Sequence, residues 1–297
     1  MKKKDVIKYI NVFLFLLPTL ALFIGILVAP IIKSTYYSFF DWNGMGALTK
    51  DNFIGIANYK ELFTSKPIGF WKAFRNVSIL AVLSVFIQLP ISLAFALILG
   101  RQIKGERAFL SIYFMPVLIS TVVIGQLWLK IYNPDYGLLN SALSALGLDN
   151  LRHAWLGEKE TALLSVFIPT LWQYIGYHML LMYAGVKGVS PDIREAARID
   201  GATEWQVNRY IVIPSIKPII KVSVIFAVTG SFKSYDLIYV LTPSGGPGHS
   251  TEVLSTRMIE LLIARGRYGM GSAIAVMMIV LCFVFALLIS KAFKEND

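Results

Sequence analysis

The sequence predicts an all-α integral membrane protein of about six transmembrane helices, with both ends of the chain on the inner side. Three observations carry this prediction. Only 15% of the 297 residues are charged, against about 25% in an average soluble domain. Six predominantly apolar stretches reach the roughly 20 residues that a span needs: residues 11–32, 76–100, 108–131, 161–186, 219–242 and 268–290. Basic residues are denser in the segments that an inward amino terminus places inside. These carry Lys2, Lys3, Lys4 and Lys8, then Arg101, Lys104 and Arg107, then Lys187, Arg194, Arg198, Arg209, Lys217 and Lys221, and finally Lys291 and Lys294. The net charge of +10 therefore reads as membrane orientation, since no basic–aromatic nucleic-acid motif accompanies it.

The first stretch is too long for a signal peptide and no small-residue cleavage site follows, so it is expected to stay as a signal-anchor. The segment 33–75 holds an Asn43-Gly44 turn signal and Trp42, a residue suited to the membrane interface. It is too short for a domain with its own sizeable core. Pro90, Pro116 and Pro169 are expected to kink the second, third and fourth spans. The link from Leu241 to Thr251 is rich in turn residues. In the last span, Gly271 and Ala275 at i, i+4 suit close helix packing. The only cysteine, Cys282, reads as a small buried hydrophobe.

The longest polar interval with helix signals is 187–218. Ser190 suits an N-cap and Pro191 the first helical position, and Gly201 offers a left-handed stop. Thr203 and Gln206 stand at capping-box spacing and open a second helix, which Pro214 is expected to close. Glu195-Ala196-Ala197, Asp200-Gly201, Ile211 and Pro214 follow one another at a spacing that resembles the EAA loop of ABC-importer permeases. Asp200-Gly201-Ala202 is similar to the carbohydrate-uptake branch. Ile213 stands where leucine commonly precedes the proline. Weaker likenesses extend over residues 35–290, among them Gly137-Leu138-Leu139-Asn140 and Trp155-Leu156.

The resemblance implies a single 1–297 permease domain of MetI-like fold, multi-pass in a bacterial or archaeal cytoplasmic membrane. It implies a homologous second permease, two ATPase subunits, an extracytoplasmic solute-binding protein and a carbohydrate substrate. Glu195, Ala196, Ala197, Asp200, Gly201 and Pro214 are then the residues expected to couple the chain to the ATPase. No Gly-x4-Gly-Lys-Ser/Thr cradle and no metal-spaced His/Cys set is present. The chain is thus expected to be no enzyme, to bind no cofactor or metal, and to leave Mg-ATP to its partners.

Ionisable groups within a span are costly and often functional. Lys233 and Asp236 stand at i, i+3, a spacing for a pair on one helix face. Phe232, Tyr235, Asp236 and Tyr239 are expected within one arc, offering rings to sugar CH faces and a carboxylate to hydroxyls. Trp172, Gln173 and Tyr177, beside Tyr174 and His178, form a second polar-aromatic patch, and Gln88 and Gln126 are further candidates. The ionisable set leaves a second reading open, a secondary transporter coupled to protons or sodium.

Overall fold

The computed structural model describes residues 3–101 and 103–293, with side chains from residue 12 onward. Lys2, Lys294 and the side chains of Lys3, Lys4 and Lys8 lie outside the described residues. Among those described, the chain is helical, and the one β-type pairing is an isolated bridge between Phe40 and Phe53. Helix α1 covers 3–37 and α2 covers Ala57–Thr64. Phe70–Leu99 is α3, Glu106–Leu118 is α4, Thr121–Ile131 is α5 and Leu138–Ala145 is α6. Lys159–Gly188 is α7, followed by α8 at Pro191–Ile199 and α9 at Glu204–Ser215. The remainder comprises α10 (Lys217–Lys233), α11 (Asp236–Leu241), α12 (Leu254–Ile259) and α13 (Tyr268–Ala292).

Three helices are long and apolar enough to cross a membrane, from Val12 to Tyr37, α3 and α13; the number rises to five if each of two bent pairs is one span. Helix α7 has 30 residues, about 45 Å at the α-helical rise. Its middle carries Gln173, Tyr174, Tyr177 and His178, which lower its apolarity.

Three prolines are absorbed without breaking their helices. A proline ring clashes with the carbonyl four residues back and removes a donor. Here the preceding turn widens to π geometry: Ala29, Leu89 and Ile213 donate to the carbonyls of Ile24, Ser84 and Asn208. Pro30, Pro90 and Pro214 come next. The expectation that Pro214 ends its helix is therefore corrected: α9 runs on to Ser215 and turns by 71° into α10 at Ile216. Pro169 likewise leaves α7 unbroken.

The stretch 108–131 is not one helix kinked at Pro116. It is α4 and α5, meeting at 96° through extended backbone at Ile119 and Ser120. The stretch 219–242 is broken too. Ser234 is extended (φ −61°, ψ 124°) and Tyr235 lies outside helical geometry (φ −138°, ψ −61°). Lys233 and Asp236 thus end one helix and start the next, and no ion pair joins them among the described residues. The hydroxyl of Ser255 donates to the Ser234 carbonyl, which the break would otherwise leave unmet.

The described residues pack as two compact units, 3–68 with 258–277 and 69–257 with 278–293. In the first, Asn58 donates to the carbonyls of Ser38 and Phe40 at 2.8 and 2.9 Å. Trp42, the expected interface residue, stands in a ring cluster with Tyr37 and Tyr268. Gly44 takes the left-handed turn (φ +88°) that its sequence indicated. Gly271 lies against Leu262, where a Cβ would come to 2.4 Å, the close packing expected of it.

The second unit is built on α3 and α7. Gln88 and Ser92 of α3 donate to the carbonyls of Leu171 and Ile175 at 2.7 and 2.9 Å. Gly176 lets α4 approach so closely that a Cβ would lie 1.9 Å from the Tyr113 carbonyl oxygen. The turn-rich link after α11 is anchored from beneath: Asn76 donates to the carbonyls of Ser250 and Glu252, both at 2.8 Å. Glu252 in turn pairs with Arg257 at 3.2 Å, both side chains buried. Trp155 donates to Asn140 at 2.8 Å, so the two short motifs at 137–140 and 155–156 contact each other. Cys282, expected to be buried, is only partly so.

Candidate functional site

Two places in the second unit concentrate functional side chains. The first is the α8–α9 hairpin. Ser190 accepts from the Asp192 amide at 3.3 Å, Gly201 takes φ +89°, and the Thr203–Gln206 capping box is complete. These local signals act as the sequence indicated. The outer side of α8 exposes Glu195, Ala196 and Asp200, together with Ile193 and Ile199, the latter 81% exposed.

Ala197 is placed differently from Ala196. It is half-buried and packs against an apolar cluster of Leu89, Met182, Val186, Val207 and Val212. Successive helical residues do not share a face, so Ala196 points outward while Ala197 seats the hairpin on its own chain. Arg194, three residues before, also turns inward and donates to the Val186 carbonyl at the end of α7. Burial lowers its pKa. Pro214 is exposed and acts through the backbone, at the widened turn of α9.

Sequence reasoning missed the charged cluster behind the hairpin. Glu204, the first residue of α9, meets Arg198 at 2.6 Å and Arg101 at 3.7 Å. The Arg198 bond holds the Glu204 carboxyl below its ordinary pKa. A related contact joins Glu106 to the Tyr183 hydroxyl and to Lys187.

The second place is a cavity of about 360 Å³ at the two helix breaks. Of the predicted path residues, Gln173, Tyr177, Tyr235 and Asp236 line it. Tyr174, His178 and Lys233 line it as well, with hydroxyls from Thr121 and Ser84. His178 is 4% exposed and its Nδ1 has no hydrogen-bond partner among the described residues. Buried polar atoms are usually paired, and this nitrogen, behind the cavity lining, is an exception.

Trp172, Phe232 and Tyr239 are not among the lining residues. Trp172 packs edge-on against Trp128, with ring centroids 5.9 Å apart. Phe232 is buried between Phe74 and Phe285. Tyr239 stacks on Tyr235 at 5.3 Å. The expected single arc fails because Phe232 precedes the break at Ser234 and the other three follow it.

Residues 67–291 match the family model described as "Binding-protein-dependent transport system inner membrane component". The chain belongs to this family. It is thus a permease subunit, and its similarity to known permeases runs through almost its whole length. A probable ABC transporter permease of Pyrococcus horikoshii is 38% identical, covering 93% of each chain. The trehalose/maltose transport system permease MalF of Thermococcus litoralis is 31% identical, over 94% of this permease and 92% of that one. A chain from the crystal structure of a bacterial alginate ABC transporter, in complex with an alginate pentasaccharide-bound periplasmic protein, superposes with a TM-score of 0.82. It is 25% identical, with 96% of this permease and 94% of that chain covered.

Proposed function

We propose that this permease passes a carbohydrate, specifically an oligosaccharide, from an extracytoplasmic binding protein to the cytoplasm by ATP-driven alternating access. The observation that carries the saccharide assignment is the cavity lining. The rings of Tyr174, Tyr177 and Tyr235 suit the CH faces of a sugar, while Gln173, His178 and Asp236 suit its hydroxyls. The trehalose/maltose relative and the pentasaccharide-bound alginate complex support the same substrate class.

The proposed topology has six spans: α1, α3, the bent α4–α5 pair, α7, α10 with α11, and α13. Both chain ends and the 187–218 hairpin lie in the cytoplasm. A homologous second permease completes the pathway, and two ATPase subunits bind Mg-ATP. The outer side of α8, with Glu195, Ala196, Asp200 and Gly201, seats on one ATPase and transmits its closure to the spans. Such coupling requires contacts at that seat that differ between the two states.

The test is uptake by proteoliposomes holding the four membrane-bound subunits, supplied with binding protein and a panel of labelled oligosaccharides and monosaccharides. Uptake of an oligosaccharide that needs internal ATP and survives collapse of ion gradients is the expected result. Uptake driven by a proton or sodium gradient without ATP would refute the reading.

A further inference from the structure

Glu204 divides its carboxylate between two elements. Oε1 accepts from Nε of Arg198, in the last turn of α8, at 2.6 Å. Oε2 lies 3.7 Å from Nε of Arg101, just past the end of α3. One side chain therefore closes the Gly201 turn and ties it to a membrane-length helix. Placement at the first position of α9 favours the carboxylate further, since the helix start is electropositive.

The three side chains are 39–49% exposed, so solvent screens their attraction and they add little to stability. Val207 and Val212, with Ile216 at the bend that follows, already seat α9 in the apolar cluster. Helix α8 is held less firmly. Its inward contacts are Ala197 and the Arg194 bond to the Val186 carbonyl. A weak, two-sided charge contact beside a lightly held helix sets orientation rather than stability, and it can open and re-form in every cycle.

We propose that Glu204 is a positioning residue for coupling: it clasps the hairpin to Arg101 at the end of α3 and holds the outer side of α8 in its resting orientation. The clasp rests on the importer reading above. When the ATPase subunits close, the contact opens and α8 turns on its seat. Without the clasp, α8 reaches the closing orientation unprompted, and hydrolysis no longer waits for the binding protein.

The experiment uses the complete importer in lipid nanodiscs, with Mg-ATP as the ligand, and measures hydrolysis with and without binding protein. Glu204→Gln and Arg101→Gln are each expected to raise the unstimulated rate about two- to fivefold, the change an exposed ion pair makes in an equilibrium. The double variant should be no faster than either single one, and Arg101→Lys should stay near the native rate. Native unstimulated rates in both single variants would overturn the clasp, as would independent, multiplying effects in the double. Arg101 is half-exposed, so its variant keeps the test decisive if Glu204→Gln assembles poorly. A native complex that hydrolyses ATP without responding to binding protein would count against the importer reading itself, a separate failure.

Discussion

Gln173, in the middle of α7, donates to the carbonyl of Pro116 across 57 positions of sequence, at 3.5 Å. The same amide nitrogen reaches the Thr121 hydroxyl, also at 3.5 Å, on the far side of the bend between α4 and α5. One cavity-lining side chain thus spans a helix break. The last carbonyls of a helix need partners outside it, and Gln173 supplies one. Gln173→Leu should lower thermal stability by about 1 kcal/mol, the low end for an unmet buried acceptor because both bonds are long. It should also reduce uptake, since the break shapes the cavity. Thermal unfolding of the purified permease complex, followed by fluorescence, checks the first effect; a native midpoint would show that the amide leaves the bend unsupported.

Gly201 has φ +89° and open space within 4 Å of where a Cβ would lie. The cost of substitution is therefore conformational, about 1–2 kcal/mol for most side chains in the left-handed region and least for Asn. Gly201→Asn should keep most uptake, whereas Gly201→Val should lose most of it while still inserting. Equal uptake by the two variants would mean that the turn geometry does not matter for coupling.

Tyr235 and Asp236 line the cavity at the start of α11. Tyr235→Ala and Asp236→Asn are expected to raise the half-saturating solute concentration for uptake about tenfold, the effect of losing roughly 1.4 kcal/mol of binding. Stimulation of ATP hydrolysis by the binding protein should persist. Tyr239→Ala, outside the lining, serves as the comparison, and an equal loss there would assign these residues to packing.

Arg267 grips both oxygens of Glu61, at 2.8 and 2.6 Å. This bond holds the Glu61 carboxyl below its ordinary value of 4.5. A carboxylate with a lowered folded-state pKa stabilises the fold above its unfolded-state value, and the contribution disappears as pH falls through the lowered one. The side chains are 37% and 42% exposed, so the effect is at most about 1 kcal/mol. Unfolding midpoints of native and Glu61→Gln protein should differ at pH 7 and converge as the pH falls through the lowered Glu61 value. A difference that persists in acid would assign the loss to packing.

What the sequence made legible was local or compositional. The Ser190 cap, the Gly201 stop and the Thr203–Gln206 box depend on residues within one turn, and all three stand as expected. Apolar runs marked the long helices for the same reason. The helix breaks were hidden because distant groups stabilise them: Gln173 meets the Pro116 carbonyl and Ser255 meets that of Ser234. Neither Ile119-Ser120 nor Ser234-Tyr235 carries a glycine or proline to announce a turn. The opposed roles of Ala196 and Ala197 follow from helical rotation, but only the packing of α8 decides which one faces inward. Arg101 and Glu204 are ordinary exposed charges until the fold brings them together.

The anchoring of the 241–251 link by Asn76 and the buried Glu252–Arg257 pair has a further consequence. A segment stapled from below has its ordering entropy already settled during folding. Its contour can then be altered from a hidden place: trimming Asn76 would free the Ser250 and Glu252 carbonyls while changing no side chain of the link itself.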